Sequence, residues 1–184
     1  MVQQDGGVVR RTINGAPIRT LWKPPPEGLS KCNTDGAFCP GVNQGATGVV
    51  LQDSLGNFEG GKACWYPHGL DALMRETLAC RDGVKFAMEK SVQRLQIETD
   101  SQELVRLWAS GDFQRSFLAP ILKEIRDVSS GFLDFMLICT NRACNRVAHV
   151  LAKQVTDEIR LGEWQSAPTC IQRLLTEDCN PPIP

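Results

Sequence analysis

Asp35, Glu76 and Asp100 stand in three separate short motifs, NTDGA, RETLA and ETDSQ, and together could hold a divalent cation. Three carboxylates brought to one point repel one another unless a cation lies between them. Oxygen donors with no cysteine or histidine among them suit Mg2+ or Mn2+ rather than Zn2+. A further polar group, His149 in NRVAHVLAK, is one of only two histidines in the chain. Each residue also has an ordinary structural reading. Asp35-Gly36 is a common turn pair. Asp100 with Glu103 three residues on makes a capping box. Glu76 could reach solvent from the second turn of a helix, where the dipole favours an anion. His149 could be a solvated surface side chain. What separates the readings is whether the fold brings the carboxylates to one place.

Periodicity supplies the elements that must do so. In LSKCNTDGAF, alternation puts Lys31, Asn33 and Asp35 on one face of a strand; in VQRLQIETD it does the same for Gln96, Glu98 and Asp100. GATGVVLQD and NFEGGKACW read as two further strands joined by a turn at DSLGN. DALMRETLACRDGVKFAMEK has helical spacing, with Ala79, Cys80, Gly83 and Ala87 forming a stripe of small residues for packing on a sheet. Glu76 falls in the middle of that stripe, whereas Arg81, Asp82, Lys85 and Glu89 face away from it. SQELVRLWAS closed by Gly111, FLAPILKEIRDVS and NRVAHVLAKQVTDEI read as helices, and GFLDFMLICT as a strand. On the last helix His149 and Asn145 lie away from the apolar side formed by Val147, Val150, Leu151 and Val155, so His149 is not a core residue.

The order predicts an α/β fold: a mixed five-stranded sheet, three antiparallel strands followed by parallel crossovers, with helices on both faces. Asp35 and Asp100 then end strands, and Glu76 faces the sheet from the first crossover helix. Ligands of open sheets collect at such strand ends.

Composition sets the outer bounds. The 184 residues accommodate one domain, expected over 29–157, after a Gly/Arg/Pro-rich flexible leader (1–28) and before a tail (158–184) with a short amphipathic segment. A net charge of −1 leaves no global basic field, so nucleic-acid binding must rest on local groups or a metal site. Eight cysteines without a CxxC pair read as reduced thiols, which implies an intracellular protein of nucleus or cytoplasm with no disulfide-linked partner. No signal peptide or membrane-spanning run is evident, and a monomer is the default expectation.

NTDGA, RETLA and ETDSQ, in this order and on these elements, resemble the ribonuclease H fold. The likeness is greatest to the reverse-transcriptase-associated ribonuclease H-like domains of plant genomes, which often begin at a Trp-Pro-Pro motif and end in an N-x-x-A-H/D-x-L-A helix. It covers about residues 22 to 156. The resemblance implies two-metal hydrolysis of the RNA strand of an RNA–DNA hybrid, with two Mg2+ or Mn2+ ions. Asp35 would bridge both ions, Asp100 would position the one that activates water, and Glu76 would hold the other near the 2′-hydroxyl of the cut nucleotide. Gly36, Ala37, Ser101, Gln102 and Asn145 would be the substrate contacts. The sequence departs from the family twice. His149 occupies the fourth acidic position, where it would be an auxiliary catalytic group. The segment GDFQRSFLAPILKEIRDVSS balances basic and acidic residues, so no basic protrusion grips the duplex. A retroelement-derived binding domain with weak or lost nuclease activity is the alternative these departures leave open.

Overall fold

The computed structural model describes residues 21–111, 113 and 117–179; most of the expected leader (1–20) and the end of the tail (180–184) lie outside the described residues. Its elements run β1 (Ser30–Cys39), β2 (Gln44–Gln52), β3 (Phe58–Tyr66), α1 (Ala72–Glu89), β4 (Arg94–Thr99), α2 (Gln102–Ser110), α3 (Ala119–Ser129), β5 (Asp134–Cys139), α4 (Arg146–Ala152), β6 (Leu161–Trp164) and α5 (Thr169–Cys179). The sheet order is β5-β4-β1-β2-β3-β6. β1 pairs antiparallel with β2 and β2 with β3, while β4 joins β1 and β5 joins β4 in parallel.

The sheet has six strands rather than the expected five. β6 adds antiparallel to β3, with Gly61 opposite Trp164 and Cys64 opposite Leu161. Only four residues long, it lacks the run of alternating apolar residues that marks a strand in sequence. The helix expected over 145–159 is likewise shorter and stops at Ala152. The Thr156 hydroxyl accepts from the backbone N–H groups of Glu158 and Ile159, and this local turn replaces the next helical turn. It redirects the chain into β6.

Two apolar layers sandwich the sheet. Cys32, Val49, Leu51, Leu95 and Ile97 pack against Cys80, Val84 and Ala87 of α1 and Leu122 and Ile125 of α3. On the opposite face Val50 packs against Val147, Ala148 and Leu151 of α4 and Ile171 of α5. The small-residue stripe of α1 is buried as expected, but Asp82 is buried too. It accepts hydrogen bonds from the Thr47 hydroxyl (2.6 Å) and the Tyr66 hydroxyl (2.8 Å), because β2 and β3 extend beneath that side of the helix.

A polar cluster ties the chain's approach to β1, which carries Asp35, and to β4, which Asp100 follows. Trp22 is buried and donates its indole N–H to Asn33 Oδ1 at 2.9 Å. The Asn33 amide donates to Glu98 Oε2 at 2.9 Å, and Lys31 makes a buried ion pair with Glu98 at 2.8 Å. The Lys31 ammonium also stands 4.8 Å from the centre of the Trp22 ring. Lys31, Asn33 and Glu98 therefore satisfy one another across the β1–β4 pair.

Candidate active site

Asp35 does not sit in a turn. β1 continues through it to Cys39, and Asp35 pairs with Gly48 of β2 inside the antiparallel ladder. The parallel pairing of β1 with β4 ends two residues earlier, at Asn33 and Glu98. Beyond that point β1 keeps only its antiparallel pairing with β2.

Glu76 reaches the same place from the other layer because Gly36 has no side chain. A Cβ at Gly36 would lie 2.6 Å from the Glu76 backbone nitrogen, so α1 approaches the strand there as nothing bulkier would allow. The Glu76 carboxylate accepts from the Thr99 hydroxyl at 3.3 Å and from the Gly36 N–H.

Asp100 follows β4 directly. The expected capping box does not form: Ser101, not Asp100, caps α2, its hydroxyl accepting from the Leu104 N–H at 3.3 Å, and Glu103 falls one residue short of the boxing position. That leaves the Asp100 carboxylate to face Asp35 and Glu76. One oxygen from each of Asp35, Glu76 and Asp100 lies within 4.8 Å of the others.

His149 arrives on α4, and a second glycine lets it. A Cβ at Gly48 would collide with the Ala148 carbonyl oxygen and stand 2.6 Å from the Ala152 nitrogen. With Gly48 in place, α4 lies against β2 and His149 Nδ1 meets Asp35 Oδ2 at 3.0 Å. Asn145 fixes the start of the same helix, its amide donating to the Thr34 carbonyl at 2.8 Å. At 1% exposure Asn145 faces the protein interior; it is not the surface contact for substrate expected from sequence.

Of the other expected contacts, Gln102 is exposed at the start of α2, while the Ser101 hydroxyl is occupied by its cap. Ala37 is half-buried against the cluster that includes Ala46 and Ala63. Gly48, Thr99 and Arg142 were not singled out from sequence. A glycine in a strand opposite an expected helix is a readable sign of close approach; Thr99 and Arg142 carry no comparable signal.

The electrostatics express the crowding. Burial pushes the Glu76 carboxyl up to about 8, reinforced by the charges of Asp35 and Asp100 and opposed by the Gly36 N–H and the Thr99 hydroxyl. Asp35 is also raised, first by burial, with His149 and Arg142 drawing it back and Asp100 adding to the rise. Carboxyls this uncomfortable as anions, clustered at the C-terminal end of β4 beside β1, are a donor set that fits a hard divalent cation. The cysteines contribute nothing comparable: the seven whose side chains are described are all free thiols.

Comparison with known proteins agrees with this geometry. Three solved structures share the fold. A ribonuclease H1 from the halophilic archaeon Halobacterium salinarum superposes with a TM-score of 0.63 at 22% identity, covering 71% of this chain and 98% of its own. The N-terminal ribonuclease H domain of a Mycobacterium tuberculosis protein gives 0.62 at 18%, covering 71% and 95%. LC11 ribonuclease H1, crystallised with an RNA/DNA hybrid, gives 0.60 at 18%, covering 70% and 97%. In sequence, a protein of Arabidopsis thaliana with a provisional ribonuclease H name is 29% identical over 163 residues, 85% of this chain. The chain spans only 25% of that relative's length. The profile of the reverse transcriptase-like family matches residues 33–155, a stretch that contains Asp35, Glu76, Asp100 and His149. With that match over most of the chain, on a ribonuclease H-like fold, the protein belongs to the reverse transcriptase-like family.

Proposed function

We propose that this domain hydrolyses the RNA strand of RNA–DNA hybrids in a reaction that depends on divalent metal. The observation that carries the reading is the convergence of Asp35, Glu76 and Asp100, whose oxygens lie within 4.8 Å of one another. Those three residues would hold two Mg2+ or Mn2+ ions, which when bound supply Lewis acidity and a nucleophile near neutral pH. Asp35 would serve both ions, Asp100 the side of the attacking water, and Glu76 the side of the 2′-hydroxyl. His149 is held through Nδ1 by Asp35, which leaves Nε2 as the nitrogen to hold a water or move a proton. Gln102 and the backbone at Gly36 and Ala37 contact the hybrid.

Cleavage of an end-labelled hybrid in Mg2+ and in Mn2+, with Asp35→Asn and Glu76→Gln as controls, tests the reading. Cutting by the intact protein and not by the variants supports it. Binding without cutting in either metal favours a binding domain that has lost its chemistry, and equal cutting by the variants means a contaminating nuclease.

A further inference from the structure

Beside the carboxylates lies a pocket of about 500 Å3 lined by Gln102, Val105, Arg106, Cys139, Thr140 and Asn141. It is built where β4 and β5 end: the Thr140 N–H donates to the Thr99 carbonyl at 2.8 Å, so the loop after β5 is fastened to the residue before Asp100. α2 supplies the other wall.

The lining holds polar side chains, the apolar Val105 and one cation, Arg106, with no carboxylate. Arg106 is exposed and makes no ion pair with any described residue. The Asn141 side-chain oxygen is taken by the Ala143 N–H at 2.9 Å, which leaves its amide nitrogen as the ligand-facing donor. Burial raises the Cys139 thiol, the charge of Asp100 adds to the rise and that of Arg106 opposes it, so both charges are felt at the pocket wall. One residue past the pocket, Arg142 turns its charge on Asp35.

A pocket with one unpaired guanidinium and two amides selects an anion. Its position next to a site for a phosphodiester limits which anion. A polynucleotide places its phosphates at regular intervals, so a strand seated at Asp35 and Asp100 carries a neighbouring phosphate past Gln102 and Arg106. We propose that Gln102, Arg106 and Asn141 form a subsite for a phosphate flanking the cut position. The subsite rests on the hybrid-cleavage reading and adds to it the grip that the sequence lacks in a basic protrusion.

The test uses the full chain with Asp35→Asn to prevent cutting, and a fluorescent RNA–DNA hybrid titrated at several salt concentrations. Arg106→Ala should weaken binding about fivefold and lower the salt slope by about one phosphate contact, with Arg106→Lys restoring the slope. Bound hybrid should also slow maleimide labelling of Cys139, while exposed Cys170 on α5 serves as the unprotected reference. Unchanged affinity and slope in Arg106→Ala, or labelling of Cys139 that hybrid does not slow, overturns the subsite even where the parent binds. If the intact protein neither binds nor cuts the hybrid, the underlying reading fails and the subsite falls with it.

Discussion

His149 Nδ1 lies 3.0 Å from Asp35 Oδ2 across a sequence separation of 114 residues. The contact joins β1 to α4 exactly where Gly48, the ladder partner of Asp35, leaves room for the helix. The ring is half-buried while the carboxylate is buried, so the histidine stands at the mouth of the site and the aspartate in its floor.

That arrangement ranks the two residues. Asp35 belongs to the carboxylate cluster, and His149 touches it from outside. His149→Ala should therefore slow hybrid cleavage, but by less than Asp35→Asn. His149→Asp supplies an oxygen donor in place of an imidazole and should improve activity in Mg2+ relative to Mn2+. Single-turnover rates in both metals measure the ranking; equal loss in His149→Ala and Asp35→Asn would show that the histidine is indispensable.

Gly48→Ala tests the packing that creates the contact. Its methyl would press on the Ala148 carbonyl and the Ala152 nitrogen, both backbone groups that cannot swing aside. Overpacking of this kind costs about 1–3 kcal/mol. Thermal unfolding should show a Tm lower by several degrees, and cleavage should fall further than Tm alone explains because His149 is displaced.

Removing Lys31 tests the polar cluster behind the site. Lys31→Ala leaves the Glu98 carboxylate buried beside Asn33 without its cation, a loss of about 3–5 kcal/mol. Lys31→Met with Glu98→Leu removes both charges and should recover part of it, since the buried Asn33 and Gln96 amides then lose their acceptor. Urea denaturation distinguishes the two. No difference between the single and double variants would mean that the unpaired Glu98 charge is not what the single variant loses.

Much of this was legible in the residues. Alternation placed Asp35 on its strand and Asp100 at the end of the next parallel one, and the small-residue stripe of α1 turned Glu76 toward the sheet. What misled was local chemistry with two equally good uses. Asp-Gly is as able to sit in a ladder as in a turn, and a cap expected at Asp100 can fall instead to Ser101, the next residue. Asn145 reads as a polar surface residue on a helical wheel, yet it is buried because it answers the Thr34 carbonyl across the fold. β6 escaped notice since four residues with two exposed positions have no period to detect. Tertiary partners decide such cases, and no local pattern contains them.

The raised carboxyls give the site a signature in stability. Glu76 moves from an ordinary 4.5 to about 8 in the folded, metal-free chain, through burial and then the charges of Asp35 and Asp100. Between those two values the folded protein keeps a proton that the unfolded chain has released. This stabilisation is full at low pH and is lost as pH rises through the window, amounting to a few kcal/mol at most. Asp35 shifts in the same direction and adds to the trend. A bound divalent cation would do the proton's work. In EDTA, Tm should decline from about pH 5 to pH 8; Mg2+ should flatten the decline, most at the alkaline end, and Glu76→Gln should flatten it without metal. Since the cation displaces a proton, Mg2+ should also bind more tightly as pH rises across the same window. A Tm in EDTA that is level over this range, or that Mg2+ leaves unmoved at pH 8, would count against a metal-binding role for the three carboxylates.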